Sequence, residues 1–387
     1  MRLAYTERQR RFREEIRAWL AEHVPAEALP SFDTAEGFAA HRAWENRLYS
    51  GRWSAVTWPK DMGGRGCDLI EWLIFEEEYW RAQAPLRVNQ NGVFLLAPTL
   101  MEFGTDEQKK RFLPRMAAGE DIWAQGWSEP GAGSDMAAIR CKAIRDGDDY
   151  IISGQKTWST RAVWADWLFG MFRSDPNSQR HHGLSFLLVP LNSPGISIRP
   201  IRQLNGLTGF AEIFFDDVRV PASNRLGDEG AGWSIAMTTA GFERGLMLRS
   251  PGRFQQTAKM LVDLYKRHQT EADADPSVRD AVMRSWMAAE AYTLATYATA
   301  SRLAKGGHIG AEASTNKIFW SELDLLMHDT AMHILGARAE LMPHAPDAGD
   351  IGHWLDGFLF AQAGPIYAGT NEIQRNIIAE RMLGLPR

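Results

Sequence analysis

Five short runs between residues 149 and 221 set the frame for this chain: DYIISGQKTWST, ADWLFGMFR, LSFLLVPL, ISIRPI and AEIFFDDVRVP. Each is rich in β-branched and aromatic residues and is bounded by Gly, Pro, Asn or Asp, the pattern of short strands joined by turns. Helical spacing occupies both flanks. Thr6 and Gln9 have capping-box spacing ahead of Phe12, Ile16, Trp19 and Leu20. Helical patterns recur at 36–50, 68–83 and 105–119, then again at 230–248, from Asp275-Pro276 to about Lys305, at 315–336 and at 370–383. At 387 residues the chain exceeds one compact core. An α+β protein is expected: an N-terminal α-helical domain (1–122), a middle β-barrel domain (123–230), antiparallel by its turn spacing, and a C-terminal four-helix-bundle domain (231–387).

The composition excludes several classes. A formal net charge of -5 does not suit a nucleic-acid binder or a basic membrane-surface helix. Nowhere do roughly 18 apolar residues run together, so no membrane span is expected. The charged N-terminus MRLAYTERQRRFREEIRAWL lacks a signal-peptide core. Cys67 and Cys141 have no paired spacing, which points to a reducing compartment, the cytoplasm. His328 and His333 stand at i, i+5 and miss the two-histidine metal spacing; no Walker or Rossmann fingerprint is present, and GGRGCD (63–68) lacks the required glycine spacing.

Two segments carry chemistry. In GWSEPGAGSD (126–135), Gly131 and Gly133 allow a ligand to approach the backbone, and Ser128 and Ser134 add hydroxyls for a flat heterocycle or a phosphate. The bland alternative is a glycine-rich turn. In KTWST (156–160), Trp158 is flanked by Ser159 and Thr160, an aromatic face beside two hydroxyls that suits a stacked ring bonded at its edge. Its bland alternative is a tryptophan in the core of a sheet.

These segments, together with ISGQKTWST, FFDDVRVPASNRLGDEGAGW and IYAGTNEIQRNIIAERMLG, resemble the acyl-CoA dehydrogenase family of flavoproteins, in family order and over essentially the whole chain. The resemblance implies bound FAD and oxidation of an acyl-CoA thioester to its trans-2-enoyl form. By motif position it places Gln125, Trp127 and Ser128 at the border of the isoalloxazine ring, with Trp158, Ser159 and Thr160 covering and bonding it. Gly133 and Ser134 fall near the flavin and the thioester tail, and Thr370 and Glu372 near the ribityl and phosphate portion. A helix N-terminus is suited to phosphate, which favours that last placement independently. An electron-transfer flavoprotein is the implied acceptor, and a homotetramer or heterotetramer the implied assembly.

Dehydrogenation needs a carboxylate whose pKa a dry pocket has raised, to take the α-proton. Many family members carry it as Glu immediately before the Gly-Thr of the last motif, but here that residue is Ala368. A minority branch, bacterial in part, carries it on an earlier bundle helix. The matching stretch TAGFERGLMLRS (239–250) puts Glu243 there, among Phe242, Leu246, Met247 and Leu248, with Arg244 beside it ordering the substrate site. The alternative for Glu243 is a solvated glutamate in the first turn of a helix. Glu129 is read as structural and Glu372 as cofactor-directed.

Two family features are reduced. The Arg-x-x-Phe-Gly segment that reaches a neighbouring subunit's pyrophosphate has no counterpart in LYKRHQTEADADPSVRDAV (264–282), where Arg267 or Arg279 are the possible substitutes. The Gly-Gly element survives only as ILGARAEL (334–341), with Gly336 its best remnant for cofactor binding. Such losses resemble a bacterial subgroup acting on CoA esters of sterol side chains, some of whose mixed tetramers hold flavin in only some subunits. A non-catalytic or half-site partner subunit, or a flavin acyl-CoA oxidase, are therefore the alternatives.

Overall fold

The computed structural model describes residues 4–244, 250–268, 275–307, 309–342, 345–348 and 351–386, with the side chains of 242–244 outside the description. The helices in chain order are α1 (Glu7–His23), α2 (Ala35–Ser50), α3 (Leu69–Arg81), α4 (Ala97–Phe103), α5 (Asp106–Ala117) and α6 (Gly232–Arg244). They continue as α7 (Pro251–Arg267), α8 (Pro276–Leu303), α9 (Ala313–Leu335), α10 (Gly352–Ala361) and α11 (Asn371–Ile377). None among the described residues is long and apolar enough to cross a membrane.

By packing, the chain forms two compact units; one comprises Pro25–Cys67 and Pro85–Glu243, the other Met1–Val24, Asp68–Ala84 and Arg244–Arg387. The first unit is built on an eight-stranded sheet. Its strands are β1 (Trp123–Gly126), β2 (Lys142–Asp146), β3 (Asp149–Thr160), β4 (Trp167–Arg173), β5 (Leu184–Pro190), β6 (Ile196–Ile201), β7 (Phe210–Pro221) and β8 (Arg225–Leu226). They are ordered β6-β7-β3-β2-β4-β5-β8, with β1 beside β4. Five of them coincide with the five apolar runs. The sheet is mixed rather than antiparallel throughout, because β1 and β2 both run parallel to β4. Strands β1 and β2 were hidden from pattern reading: β1 is four residues long, and β2 buries only Ala143 of its five residues, with Ile144 exposed beside the charged ones.

Burial explains the composition of each strand. In β4 and β5 nearly every residue is buried, so both read as continuous apolar runs. In β6 and β7 burial alternates, as for strands with one solvated face. Gly126 and Gly170 pair across β1 and β4. A Cβ on Gly126 would lie 2.7 Å from Leu168, and one on Gly170 would overlap the Gly126 carbonyl, so glycine sets this close approach.

The second unit is helical. Thr6 caps α1 through the expected capping box with Gln9, and Asp68 and Glu71 form another at α3. Helix α3 sends Glu71, Glu77 and Glu78 toward α1, where Arg8 meets Glu71 at 2.7 Å, Arg13 meets Glu77 at 2.5 Å and Arg17 meets Glu78 at 2.9 Å. Phe254, Leu261, Tyr292, Met327 and Trp354 are buried together in the core that α7, α8, α9 and α10 share.

Candidate active site

The two glycine- and tryptophan-bearing segments meet in the sheet unit. Lys156 continues the inward-facing even positions of β3 after Tyr150 and Ile152, and it is fully buried. Its ammonium donates to Glu129 Oε1 at 2.8 Å and to the Met171 carbonyl at 2.7 Å. Glu129 also accepts from the Arg140 and Cys141 backbone N–H groups at 2.7 and 3.0 Å. The Thr157 N–H donates to the Ser128 carbonyl at 2.9 Å, which stitches the loop to the strand. Glu129 is thus committed to structure, and it brings 126–135 against 156–160. Burial pushes the Cys141 thiol in this core up to about 12, so it is no nucleophile at neutral pH.

Beyond Lys156 the strand bulges. Between the pairs Lys156–Ile213 and Ser159–Ala211, two residues of β3, Thr157 and Trp158, oppose one of β7, Glu212. Trp158 takes the extra position with φ +58, a left-handed conformation that side-chain-bearing residues rarely adopt, and keeps 59% of its surface exposed. Its ring meets Phe210 edge-on at 6.1 Å. Ser159 is fully buried and Thr160 half-buried. Trp158 is thus exposed at the bulge while the Ser159 hydroxyl beside it in sequence is buried. A strained, outward tryptophan is an arrangement kept at ligand sites rather than in sheet cores.

The neighbouring loop is open. Gly131 and Gly133 have no heavy atom within 4 Å of where a Cβ would stand, and neither has positive φ. Their side of the backbone faces free space. Gly133 and Ser134 are exposed, while Gln125 on β1, Trp127 and Ser128 are half-buried. Two buried polar atoms here, Ser159 Oγ and Trp127 Nε1, have no hydrogen-bond partner. Buried donors are rarely left so unless another molecule satisfies them. The exposed ring, the open glycines and these two orphaned groups fit a flat, edge-bonded heterocycle.

The remaining expected contacts belong to the helical unit. Thr370 caps α11, its hydroxyl accepting from the Ile373 N–H at 3.2 Å. Glu372 is exposed, and the first-turn N–H of its own helix and the Thr370 hydroxyl hold its carboxyl below the usual range. Ala368 and Gly369 are both left-handed, with φ of +56 and +78, and their carbonyls accept from the Gln374 side chain at 3.1 and 3.2 Å. Gly336 ends α9 with φ +56 and lines a cavity of about 420 Å³ with Asp275, His333 and Arg338. Glu243 lies one residue before the end of α6, not in a first turn as the solvated alternative required. The side chains of Glu243 and Arg244 lie outside the described residues.

Three family models cover this chain: the acyl-CoA dehydrogenase N-terminal domain over 6–120, the middle domain over 124–218 and the C-terminal domain over 230–383. The chain belongs to the acyl-CoA dehydrogenase family. It is an oxidoreductase acting on acyl-CoA. Acyl-CoA dehydrogenase IpdE1 of Mycobacterium tuberculosis is 41% identical, with 97% of each chain covered. Acyl-CoA dehydrogenase FadE26 of the same organism is 35% identical, over 100% of this chain and 99% of the relative. Among solved structures, the ChsE4-ChsE5 complex from Mycobacterium tuberculosis superposes with TM-score 0.86 at 34% identity, with 100% of both chains covered. The Tcur3481-Tcur3483 steroid ACAD gives 0.87 at 28% identity, again over 100% of both.

Proposed function

We propose that this acyl-CoA dehydrogenase uses FAD to oxidise a bulky acyl-CoA thioester to its trans-2-enoyl form. The observation that carries the flavin reading is Trp158, held outward and left-handed in a bulge beside the orphaned Ser159 hydroxyl. Bound flavin supplies the two-electron acceptor for the β-hydride. The chain's own residues do the rest. Gln125, Trp127, Ser128, Gly133, Trp158, Ser159 and Thr160 hold the ring; Gly336, Thr370 and Glu372 serve the remainder of the cofactor; and Ser134 and Arg244 order the thioester. Glu243 takes the α-proton onto a carboxylate oxygen, a role that Ala368 cannot fill because a methyl group does not ionise. An electron-transfer flavoprotein then reoxidises the enzyme. The bulky acyl group is inferred from the steroid ACAD likeness.

Anaerobic titration of the purified protein with a panel of acyl-CoAs tests this reading. Bleaching of the oxidised flavin band by a ring-bearing or branched acyl-CoA is expected. A flavin-containing protein bleached by no acyl-CoA would contradict it. A second reading, a partner subunit within a mixed assembly, draws on the two-protein character of the ChsE4-ChsE5 complex. A colourless protein that turns over acyl-CoA only when joined to a second chain would favour that reading.

A further inference from the structure

Trp158 is not alone in its strain. Arg161, three residues on, is left-handed at φ +55, so the Trp158–Thr160 segment is bracketed by two unfavourable backbone conformations. Something outside the strand must hold the second of them. The Arg161 N–H donates to the Gly209 carbonyl at 2.7 Å, just before β7 begins. Its side chain is buried, with the guanidinium 3.7 Å over the Phe32 ring and Nε 3.4 Å from Asp33 Oδ1. The Asp33 carboxylate also packs close to Gly209, where a Cβ would overlap it. The next residue, Phe210, is the ring on which Trp158 leans.

The turn bearing Phe32 and Asp33 is itself firmly rooted. The Asp33 N–H donates to Ser31 Oγ at 3.3 Å, and Thr34 caps α2. Phe32 meets His41 edge-on at 5.3 Å, and the two ring nitrogens of His41 lie 2.7 Å from the Leu86 carbonyl and 3.2 Å from the Pro30 carbonyl. Burial lowers the Arg161 pKa to about 10 against the opposing pull of Asp33, so at neutral pH a full positive charge sits in a dry site with one carboxylate to balance it.

We propose that Phe32, Asp33 and Arg161 are positioning residues that clasp the end of β3 to the start of β7 and so fix Trp158, Ser159 and Thr160 against the flavin ring. The proposal rests on the flavin reading above. None of the three touches the cofactor; each acts through the backbone of the bulged segment. An ion pair that served stability alone would lower the melting point of the apoprotein and leave flavin affinity in the folded protein unchanged.

The test is titration of apoprotein with FAD, following quenching of flavin fluorescence and the visible circular dichroism of the bound ring, below the melting point of every variant. Asp33→Asn is expected to raise the FAD Kd about tenfold and to alter the visible dichroism, as loss of a charge-anchored contact does. Phe32→Leu keeps the ion pair but loses the stack, and is expected to alter the dichroism with a smaller rise in Kd; it decides the matter if Asp33→Asn does not fold. Unchanged Kd and unchanged dichroism in the folded variants would overturn the clasp while leaving the flavin reading intact. A wild-type apoprotein that binds no FAD would overturn both.

Discussion

Lys156 and Glu129 show how a buried charge pair can serve a site without entering its chemistry. Both are almost fully buried, and Glu129 fills its remaining acceptor capacity with backbone N–H groups. Breaking such a pair costs about 3–5 kcal/mol because one charge is left unbalanced. Lys156→Met is therefore expected to lower stability by that order in denaturant unfolding, and to release FAD because the 126–135 loop loses its anchor. A variant as stable and as yellow as wild type would contradict the role. Trp158, Ser128 and Gly133 are legible in the sequence because their side chains, or lack of them, suit a ligand. Lys156 is less so, although its parity with Tyr150 and Ile152 marks it as inward-facing, and Asp33 and Arg161 are not legible at all. Those two lie more than a hundred residues apart in sequence, and only the fold brings them together.

Among elements, α7 and α9 carry the clearest pH signal. Asp324 is buried, and Arg253 reaches its two oxygens at 3.1 and 2.8 Å. Burial alone would raise the Asp324 carboxyl, but Arg253 and His328 outweigh it and hold it down at about 2. A depressed carboxyl contributes stability that is present above its unfolded pKa and lost as pH falls through the folded value. Stability of the order of 2 kcal/mol is thus expected to disappear between about pH 4 and pH 2. In Asp324→Asn this acid limb is expected to flatten, alongside a loss of about 3–5 kcal/mol at neutral pH from the stranded Arg253. An unchanged acid limb in denaturation profiles would assign the transition to other carboxylates. Long elements such as α8 and β3 were legible because periodicity accumulates over many residues. Strand β1 and the short helix α4 were not, because four and seven residues give period too little length to show.

For the whole molecule, cofactor binding and folding are linked. A ligand that binds only the folded chain stabilises it by about 2.7 kcal/mol at a hundredfold excess over its Kd. FAD is accordingly expected to raise the melting temperature of apoprotein in a concentration-dependent way, and adenosine alone to do so less. Equal shifts with both would argue against recognition of the ring by Trp158 and Ser159. The α–β–α order of the chain was plain in the sequence, whereas the grouping of α1 and α3 with the C-terminal helices was not. Arg8, Arg13 and Arg17 tie α1 to α3 through Glu71, Glu77 and Glu78, and Glu77 also accepts from the Tyr297 hydroxyl of α8, partners that no local pattern names. The most direct test of the central claim sets wild type beside Glu243→Gln in anaerobic titration with a reactive acyl-CoA. Bleaching in the wild type and none in the variant, with FAD still bound to both, is the predicted result. Equal bleaching in the two would show that Glu243 is not the base.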